Sequence, residues 1–463
     1  MLTSDQKIKI NEKVQGFKEA ADFYRMEYSE DLMGMFRDFG CMLLLKCKVD
    51  TEGKADLERL LEGRHKLKGT VKRQLMTVSE ELAQLWEPGE QDGSGDTGEY
   101  EGSQNVREMF QTALEEIFHF CLYSKGGKNR YLLPEETAKP LLRLLTFPEG
   151  MMAGNEGLVV LDTQCGAGSA LMAASRYLKN LRLMGYEKDE EMWAAAVIMS
   201  QLSGLEMELH LEDGARADLY ESCDLVISNP VYGTDTIKDE ELIDQLPGEL
   251  KTVRGRYHME LIRSMQALNF RWKSNADRSQ QLFYFANRTE SMKVRKWLLQ
   301  SYSLEAIISL PEDTFMYSGV RSGVMVFSKP FMSGGWEGHT QRVLYYNLEK
   351  QEDKEKQQKE YERLEEVWSQ RDSYYGKWER SRREKTVENR NGIKVPANWQ
   401  YNSFWFADVD QIEAGKWNLL PENYRPEEQI NLEIEDPALL LQEMLKEQEE
   451  ITKKLNELLK EVM

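Results

Sequence analysis

Apolar residues recur at helical spacing through roughly the first 128 positions and in short strand-like runs after them. Phe17, Ala20, Ala21 and Tyr24, then Leu32, Met35, Phe36, Phe39 and Leu43, fall three or four apart, the interval that puts side chains on one face of an α-helix. Residues 88–104 are rich in Gly, Asp, Glu and Ser and read as a flexible loop between helical segments. Beyond residue 129, strands are expected at 157–162, 181–186, 206–211, 224–228, 281–286, 305–310 and 323–328. Helices are expected between them, through Leu171, Met172, Ala174 and Leu178 and over 258–270. Strands alternating with helices predict an α/β unit over 129–347 whose sheet can reach seven strands. Residues 348–463 read as a charged helical tail. Within it, 350–385 has dense mixed charge interspersed with Leu364, Val367, Trp368, Tyr375 and Trp378, the pattern of a long solvated helix or hairpin. At the end, Leu441, Met444, Ile451, Leu455, Leu458 and Val462 repeat at heptad spacing around Gln448, a segment that suits the chain's own N-terminal helices as well as a partner.

The ends of the first four expected strands carry the candidate chemistry. The first closes on Asp162, followed by Thr163-Gln164-Cys165-Gly166-Ala167-Gly168 and an apolar helix. Strand, acid, glycine turn and helix form the first unit of a nucleotide-type crevice at the carboxyl edge of a parallel sheet. Gly166 and Gly168 let the backbone approach a ligand closely, and Asp162 can hold a cationic amine. Cys165 lies in the same loop, where a small residue fits. The second strand ends at Glu187, positioned to take two ribose hydroxyls, and the third at Glu212-Asp213-Gly214, where Asp213 can accept from an adenine amine. Together these residues suit S-adenosylmethionine.

The fourth run, Asp224-Leu225-Val226-Ile227-Ser228, leads into Asn229-Pro230-Val231-Tyr232. The Asn229 side-chain oxygen and the Pro230 carbonyl can accept hydrogen bonds from a planar exocyclic NH2 group, while Tyr232 stacks on the ring that bears it. An amine held in this way presents its lone pair to an electrophile, and positioning is the main catalytic contribution.

Composition narrows the field. At 463 residues, 41% apolar, the chain is long enough for two or three units with a sizeable core. It has no run apolar enough to span a membrane, and residues 1–9 lack a signal-peptide layout. Cys41, Cys47, Cys121, Cys165 and Cys223 show neither a CxxC pair nor metal-ligand spacing, so free thiols in a reducing cytoplasm are expected, with no metal site. The net charge of -20 argues against a chain that grips nucleic acid by itself. Local basic stretches at 251–263 and 288–296 read as solvated helix faces or as phosphate contacts.

The order and spacing of these motifs resemble the amino-methyltransferases of DNA, most closely the modification subunits of type I restriction–modification systems. Leu310-Pro311-Glu312-Asp313-Thr314-Phe315 is similar to the end of that family's penultimate strand, and residues 318–329 to the approach to its last strand and the strand itself. Trp417-Asn418-Leu419-Leu420-Pro421-Glu422-Asn423-Tyr424 resembles the signature after its catalytic domain, and Phe36, Asp38, Phe39, Leu43 and Lys46 its N-terminal bundle. The likeness runs from about residue 5 to about residue 425. It implies a seven-stranded Rossmann-like S-adenosylmethionine sheet with an N-terminal helical domain and a helical tail. It further implies an adenine target in DNA, flipped from the duplex and stacked on Tyr232 for on the order of 1–3 kcal/mol, with direct transfer and no covalent nucleophile. A separate specificity subunit would read the sequence, and a restriction subunit is a further candidate partner. The family's N-terminal cofactor motif corresponds to Tyr131-Leu132-Leu133-Pro134, which implies cofactor contacts from Tyr131 and Pro134. Val231 and Thr163 stand where the family has proline, and 271–277 lacks the glycines expected before the fifth strand. A methyltransferase for a protein glutamine or an RNA base shares the Asn-Pro-x-Tyr device, and a degenerate scaffold without turnover is the reading from another class.

Overall fold

A computed structural model describes residues 3–28, 32–49, 55–62, 67, 69–86, 100–124, 134–145, 157–229, 236–269, 273–278, 289–312, 314–315, 322–329, 340–426 and 448. Helices α1 (Ser4–Tyr28), α2 (Leu32–Lys46), α3 (Ala55–Glu62), α4 (Gly69–Ala83), α5 (Tyr100–Tyr123) and α6 (Glu135–Arg143) come first. The apolar stripes seen in the sequence are their core: Phe17, Ala20, Ala21, Tyr24, Met35, Phe36, Phe39 and Leu43 are fully buried, and Phe17 meets Phe39 edge-on at 4.9 Å between ring centres. Helix α5 starts at Tyr100, so residues 100–104, expected in the loop, are helical.

The α/β part begins with β1 (Leu158–Asp162), α7 (Ser169–Tyr177), β2 (Leu181–Glu187), α8 (Glu190–Ser203), β3 (Met207–Leu211) and β4 (Leu225–Val226). These strands form a four-stranded sheet in the order β3-β2-β1-β4, with every described pairing parallel. Their carboxyl ends therefore share one edge. Gly40 lets α2 approach α8: a side chain there would collide with Ile198. One apolar cluster joins α1–α5, α7 and α8 on one face of the sheet.

Next come α9 (Glu240–Asp244), α10 (Arg256–Ala267), β5 (Lys273–Arg278), α11 (Thr289–Ser301), β6 (Ser303–Leu310), β7 (Ser322–Ser328) and β8 (Arg342–Asn347). The expected single seven-stranded sheet is not seen among the described residues. A second, five-stranded mixed sheet runs β11-β8-β6-β7-β5; its β11 is Phe404–Asp408. An isolated parallel bridge between Cys223 and Leu268 lies where the chain passes from the first sheet toward β5. Strand β4 is short, but main-chain bonds continue beyond it: the Asp224 N–H donates to the Val159 carbonyl at 3.0 Å, and the Asp224 side chain reinforces the contact. Its carboxylate accepts from the Val159 N–H at 3.0 Å and from Asn269 Nδ2 at 2.6 Å. The fifth strand occupies Lys273–Arg278, within the segment expected to be a loop, while the expected strand at 281–286 lies outside the described residues.

The tail is not purely helical, as the sequence had suggested. Helices α12 (Lys354–Ser369) and α13 (Arg371–Glu384) do form the charged hairpin, but Leu364, Val367, Trp368 and Trp378 are buried in the main core. A short ribbon of β9 (Thr386–Glu388) and β10 (Lys394–Pro396) follows, then β11 and α14 (Val409–Ala414). Strand β11 pairs antiparallel with β8, which binds the tail to the second sheet. The C-terminal heptads lie outside the described residues apart from Gln448.

Candidate active site

The parallel order of the first sheet brings the predicted strand-end residues to one edge. Asp162 closes β1 and is 2% exposed, with its Oδ1 accepting from the Gln164 N–H at 3.0 Å. Burial raises its carboxyl to about 7; the Gln164 N–H opposes that rise and the neighbouring Glu187 charge adds to it. Gly166 and Gly168 have φ of 54° and 78°, the left-handed region in which glycine is unstrained. The turn they permit is tied to the strand beside it. The Gly166 N–H donates to Glu187 Oε2 at 2.9 Å, and the Cys165 N–H donates to the Tyr186 carbonyl at 2.9 Å. Glu187 also accepts the Asp189 N–H through Oε1 at 2.7 Å. Burial is the main cause pushing its carboxyl above the ordinary range.

Cys165 does not aim its thiol at the crevice. Its Sγ packs against Gly185, where an added Cβ would sit 2.8 Å away, and burial pushes the thiol well up. Gln164 is a residue that the sequence reading passed over. Both polar atoms of its amide are buried without a hydrogen-bond partner, beside Asp162 in the loop. A buried amide in that state is an unmet demand for a ligand group.

Asp213 follows β3. Its Oδ1 accepts from the Ala215 N–H at 3.2 Å, and its Oδ2 pairs with Arg256 Nη1 at 3.0 Å. Gly214 has no room for a side chain, because one would strike the Thr163 carbonyl and Tyr186. The β3 turn is thus pressed onto the β1 loop. Asn229 lies two residues past Ile227, whose N–H donates to the Leu161 carbonyl at 2.9 Å. That bond extends the β1–β4 ladder and sets half-buried Asn229 beside the end of β1. Pro230, Val231, Tyr232 and Tyr131 lie outside the described residues. Pro134 caps the start of α6. It lines a groove of about 610 Å³ with Lys139, Arg143, Pro311, Thr314 and Lys354, a place distinct from the Asp162–Glu187–Asp213 edge. No group of residues able to hold a metal ion occurs among the described residues, and no described helix is long and apolar enough to cross a membrane.

The model of the N-6 DNA Methylase family matches residues 107–432, more than half of the chain. The chain belongs to the N-6 DNA methylase family. A type I restriction enzyme methylase subunit (MjaVII) from Methanocaldococcus jannaschii is 23% identical over 309 residues, 59% of this chain. The chain spans about half the length of that curated relative, 47%. Among solved structures, a type I restriction–modification methyltransferase subunit from Streptococcus thermophilus superposes with a TM-score of 0.54 at 15% identity, covering 90% of this chain and 99% of that one. A protein from Listeria monocytogenes described as a class I S-adenosylmethionine-dependent methyltransferase gives 0.53 at 16%, covering 78% and 98%. The α/β fold is thus shared with S-adenosylmethionine-dependent methyltransferases.

In this N-6 DNA methylase chain, α10 contributes more to the site than its sequence suggested. The basic stretch 251–263 read as a solvated face or a phosphate grip, yet every residue from Tyr257 to Ala267 is buried. Arg263 donates to the carbonyls of Ala215 and Ala217 at 3.1 and 2.7 Å, which holds the turn after Asp213. Ser264 and Thr163 share a hydrogen bond of 2.7 Å, so the threonine that replaces the family's proline anchors the β1 loop to this helix. A signal was present in the sequence. It lies in the residues spaced three or four apart: Arg256, Glu260, Arg263 and Ser264 share one face of the helix, opposite Tyr257, Leu261, Ile262 and Met265, and that polar face is turned to the strand ends rather than to solvent. The signature Trp417–Tyr424 serves elsewhere. Its Trp417 has φ of 58° and its carbonyl accepts from Arg295 Nε, while Tyr424 stacks on Tyr345 at 5.4 Å. It locks the tail onto α11 and β8.

Proposed function

We propose that this chain transfers a methyl group from S-adenosylmethionine to the exocyclic amine of adenine in DNA, as the modification subunit of a type I restriction–modification system. The observation that supports it best is the convergence of Asp162, Glu187, Asp213 and Asn229 at the carboxyl edge of one parallel sheet. In open α/β sheets that edge is where ligands bind.

The residues present suit the cofactor. Asp162 is a buried acid whose raised pKa marks a carboxylate without a cation, and the amino group of a methionine moiety would supply one. The left-handed Gly166 and Gly168 keep side chains out of the path of the ligand, and Gln164 offers both a donor and an acceptor. Glu187 stands where ribose hydroxyls would bind, and Asp213 where an adenine amine would. Once bound, the cofactor would supply a methyl group on a sulfonium sulfur, which departs as a neutral thioether as the amine nitrogen takes the methyl and gives up a proton, so no covalent help from the protein is needed. The work of this chain is then orientation. Asn229 accepts one N–H of the target amine and Pro230 the other, and Tyr232 holds the ring. The flipped base is the only geometry in which that amine becomes reachable.

Partners belong to the same reading. DNA is the substrate, a specificity subunit supplies sequence recognition, and a restriction subunit completes the assembly in the cytoplasm. The test is Asn229→Ala in cells that carry the gene with its neighbours. A methylated adenine motif found by single-molecule sequencing should vanish in the variant, while the purified variant keeps its affinity for S-adenosylhomocysteine. Methylation that survives the substitution overturns the assigned mechanism. Absence of a methylated motif in the unaltered cells overturns the substrate.

A further inference from the structure

Helix α10 brings a second acid to the cofactor edge that the proposed chemistry leaves unused. Arg256 and Glu260 stand one turn apart on this helix. One guanidinium nitrogen of Arg256 lies 3.0 Å from Asp213 Oδ2 and 3.3 Å from Glu260 Oε1, so a single cation holds the two carboxyl groups side by side. Glu260 is 4% exposed, and its other oxygen, Oε2, is buried with no hydrogen-bond partner. One turn further along the helix, Ser264 is bonded to Thr163, the residue after Asp162. Glu260 therefore sits between the anchor of the β3 turn and the anchor of the β1 loop. Buried polar atoms are nearly always satisfied, and an orphan at this place asks for a ligand atom.

We propose that Glu260 reads the adenine ring of the cofactor together with Asp213: Asp213 accepts from the exocyclic amine, and Glu260 Oε2 hydrogen-bonds to the adjacent ring nitrogen N1. This rests on the cofactor reading of Asp213 given above. The Watson–Crick edge of adenine presents a donor next to an acceptor, and a carboxylate beside a neutral carboxyl is its complement. Burial raises Glu260 to about 7 against the opposing charges of Arg256 on the same helix and Lys188 after β2, with Asp213 after β3 adding to the rise. The protonated, donating form is thus accessible at neutral pH. A hypoxanthine ring reverses both partners of the edge and should be rejected, since a site built to hydrogen-bond one pattern leaves buried groups unpaired with another.

Titration calorimetry with S-adenosylhomocysteine and its hypoxanthine counterpart, S-inosylhomocysteine, tests this without turnover. Glu260→Ala should weaken S-adenosylhomocysteine binding about tenfold and narrow the preference for adenine. Glu260→Gln keeps a donor at the same place, so it should retain affinity and lose the part of the wild-type pH dependence near neutrality that Glu260 causes. Glu187→Ala should weaken both ligands equally and leave the preference untouched. If wild type binds S-adenosylhomocysteine and Glu260→Ala changes neither affinity nor preference, the role of Glu260 is refuted while the cofactor site stands. If wild type fails to bind S-adenosylhomocysteine, the cofactor reading falls and this proposal with it.

Discussion

Replacing Asp162 by asparagine keeps the size of the side chain and the Oδ1 acceptor that holds the Gln164 N–H at 3.0 Å, and removes only the ionisable group. The carboxyl is 2% exposed, and its folded value is about 7 against an ordinary 3.8. The folded chain thus prefers the protonated acid. Relative to the unfolded chain, the cost of ionising Asp162 is absent below about pH 4, grows as pH rises, and levels off above about pH 7. At about 1.36 kcal/mol per unit, the cost comes to about 1.5 kcal/mol at about pH 5 and about 4 kcal/mol at about pH 8. Asp162→Asn should therefore stabilise the cofactor-free protein at both pH values, and by roughly 2.5 kcal/mol more at the higher one. For a unit of this size that is a widening of the melting-temperature gap by roughly 5–10 °C. The same substitution removes the proposed partner of the cofactor's amino group, so affinity for S-adenosylhomocysteine should fall by roughly 30-fold or more. Melting curves at the two pH values and titration calorimetry read both effects. A gap independent of pH, or a variant that binds like wild type, would refute the reasoning.

Two further outcomes follow from the geometry around that loop, and a third from the charge of the chain. Gly185→Ala would place a Cβ 2.8 Å from Cys165 Sγ and 3.0 Å from Leu171; it should cost about 1–3 kcal/mol, and adding Cys165→Ala should recover part of the lost melting temperature. Arg263→Met strands the Ala215 and Ala217 carbonyls inside the protein, a loss of about 2–4 kcal/mol. It should lower S-adenosylhomocysteine affinity as well, because the turn bearing Asp213 loosens, and calorimetry showing unchanged affinity would count against that link. The isolated chain should bind DNA weakly, with a log-affinity slope against log salt shallower than about −3. A mobility-shift titration giving about −6 or steeper would mean that the chain has its own phosphate grip.

The first sheet was legible because each of its strands pairs local apolar density with a polar residue at its end. Strand β1 was expected at 157–162 and forms at Leu158–Asp162; β2 and β3 fall within one residue of expectation. Strand β5 was not legible. Its sequence, Lys-Ser-Asn-Ala-Asp-Arg, has no alternation, and its conformation comes from antiparallel pairing with β7 about fifty residues later. The aromatic run Phe404–Phe406 does look like a strand, but nothing local says that its partner is β8 across sixty residues. Charge density misled in two places. Trp378 is fully buried in a helix that read as solvated, and α10 is enclosed despite Arg256, His258, Glu260 and Arg263 within eight positions. In both, long side chains reach partners across elements, and no window on a single sequence contains those partners.

Those internal partners also bear on the proposed polyanionic substrate, for a chain of 60 basic and 80 acidic residues. Among the described residues, basic side chains of both stretches are engaged within the protein. Lys251 pairs with Asp244, Arg254 donates to the Lys251 and Val253 carbonyls, Arg256 holds Asp213, and Arg263 holds the turn after it. In the second stretch, Lys293 reaches Thr252, and Arg295, fully buried, reaches the Trp417 carbonyl. Releasing either buried arginine to DNA would leave buried carbonyls unpaired, at about 1–3 kcal/mol each, more than an exposed phosphate contact returns. Fields from more distant acids are screened within about 8 Å at physiological salt, so the net charge opposes approach rather than chemistry at the site. Under the proposed function, the cations of this subunit position the residues that hold the cofactor. Attraction of the duplex falls to the partner that reads it.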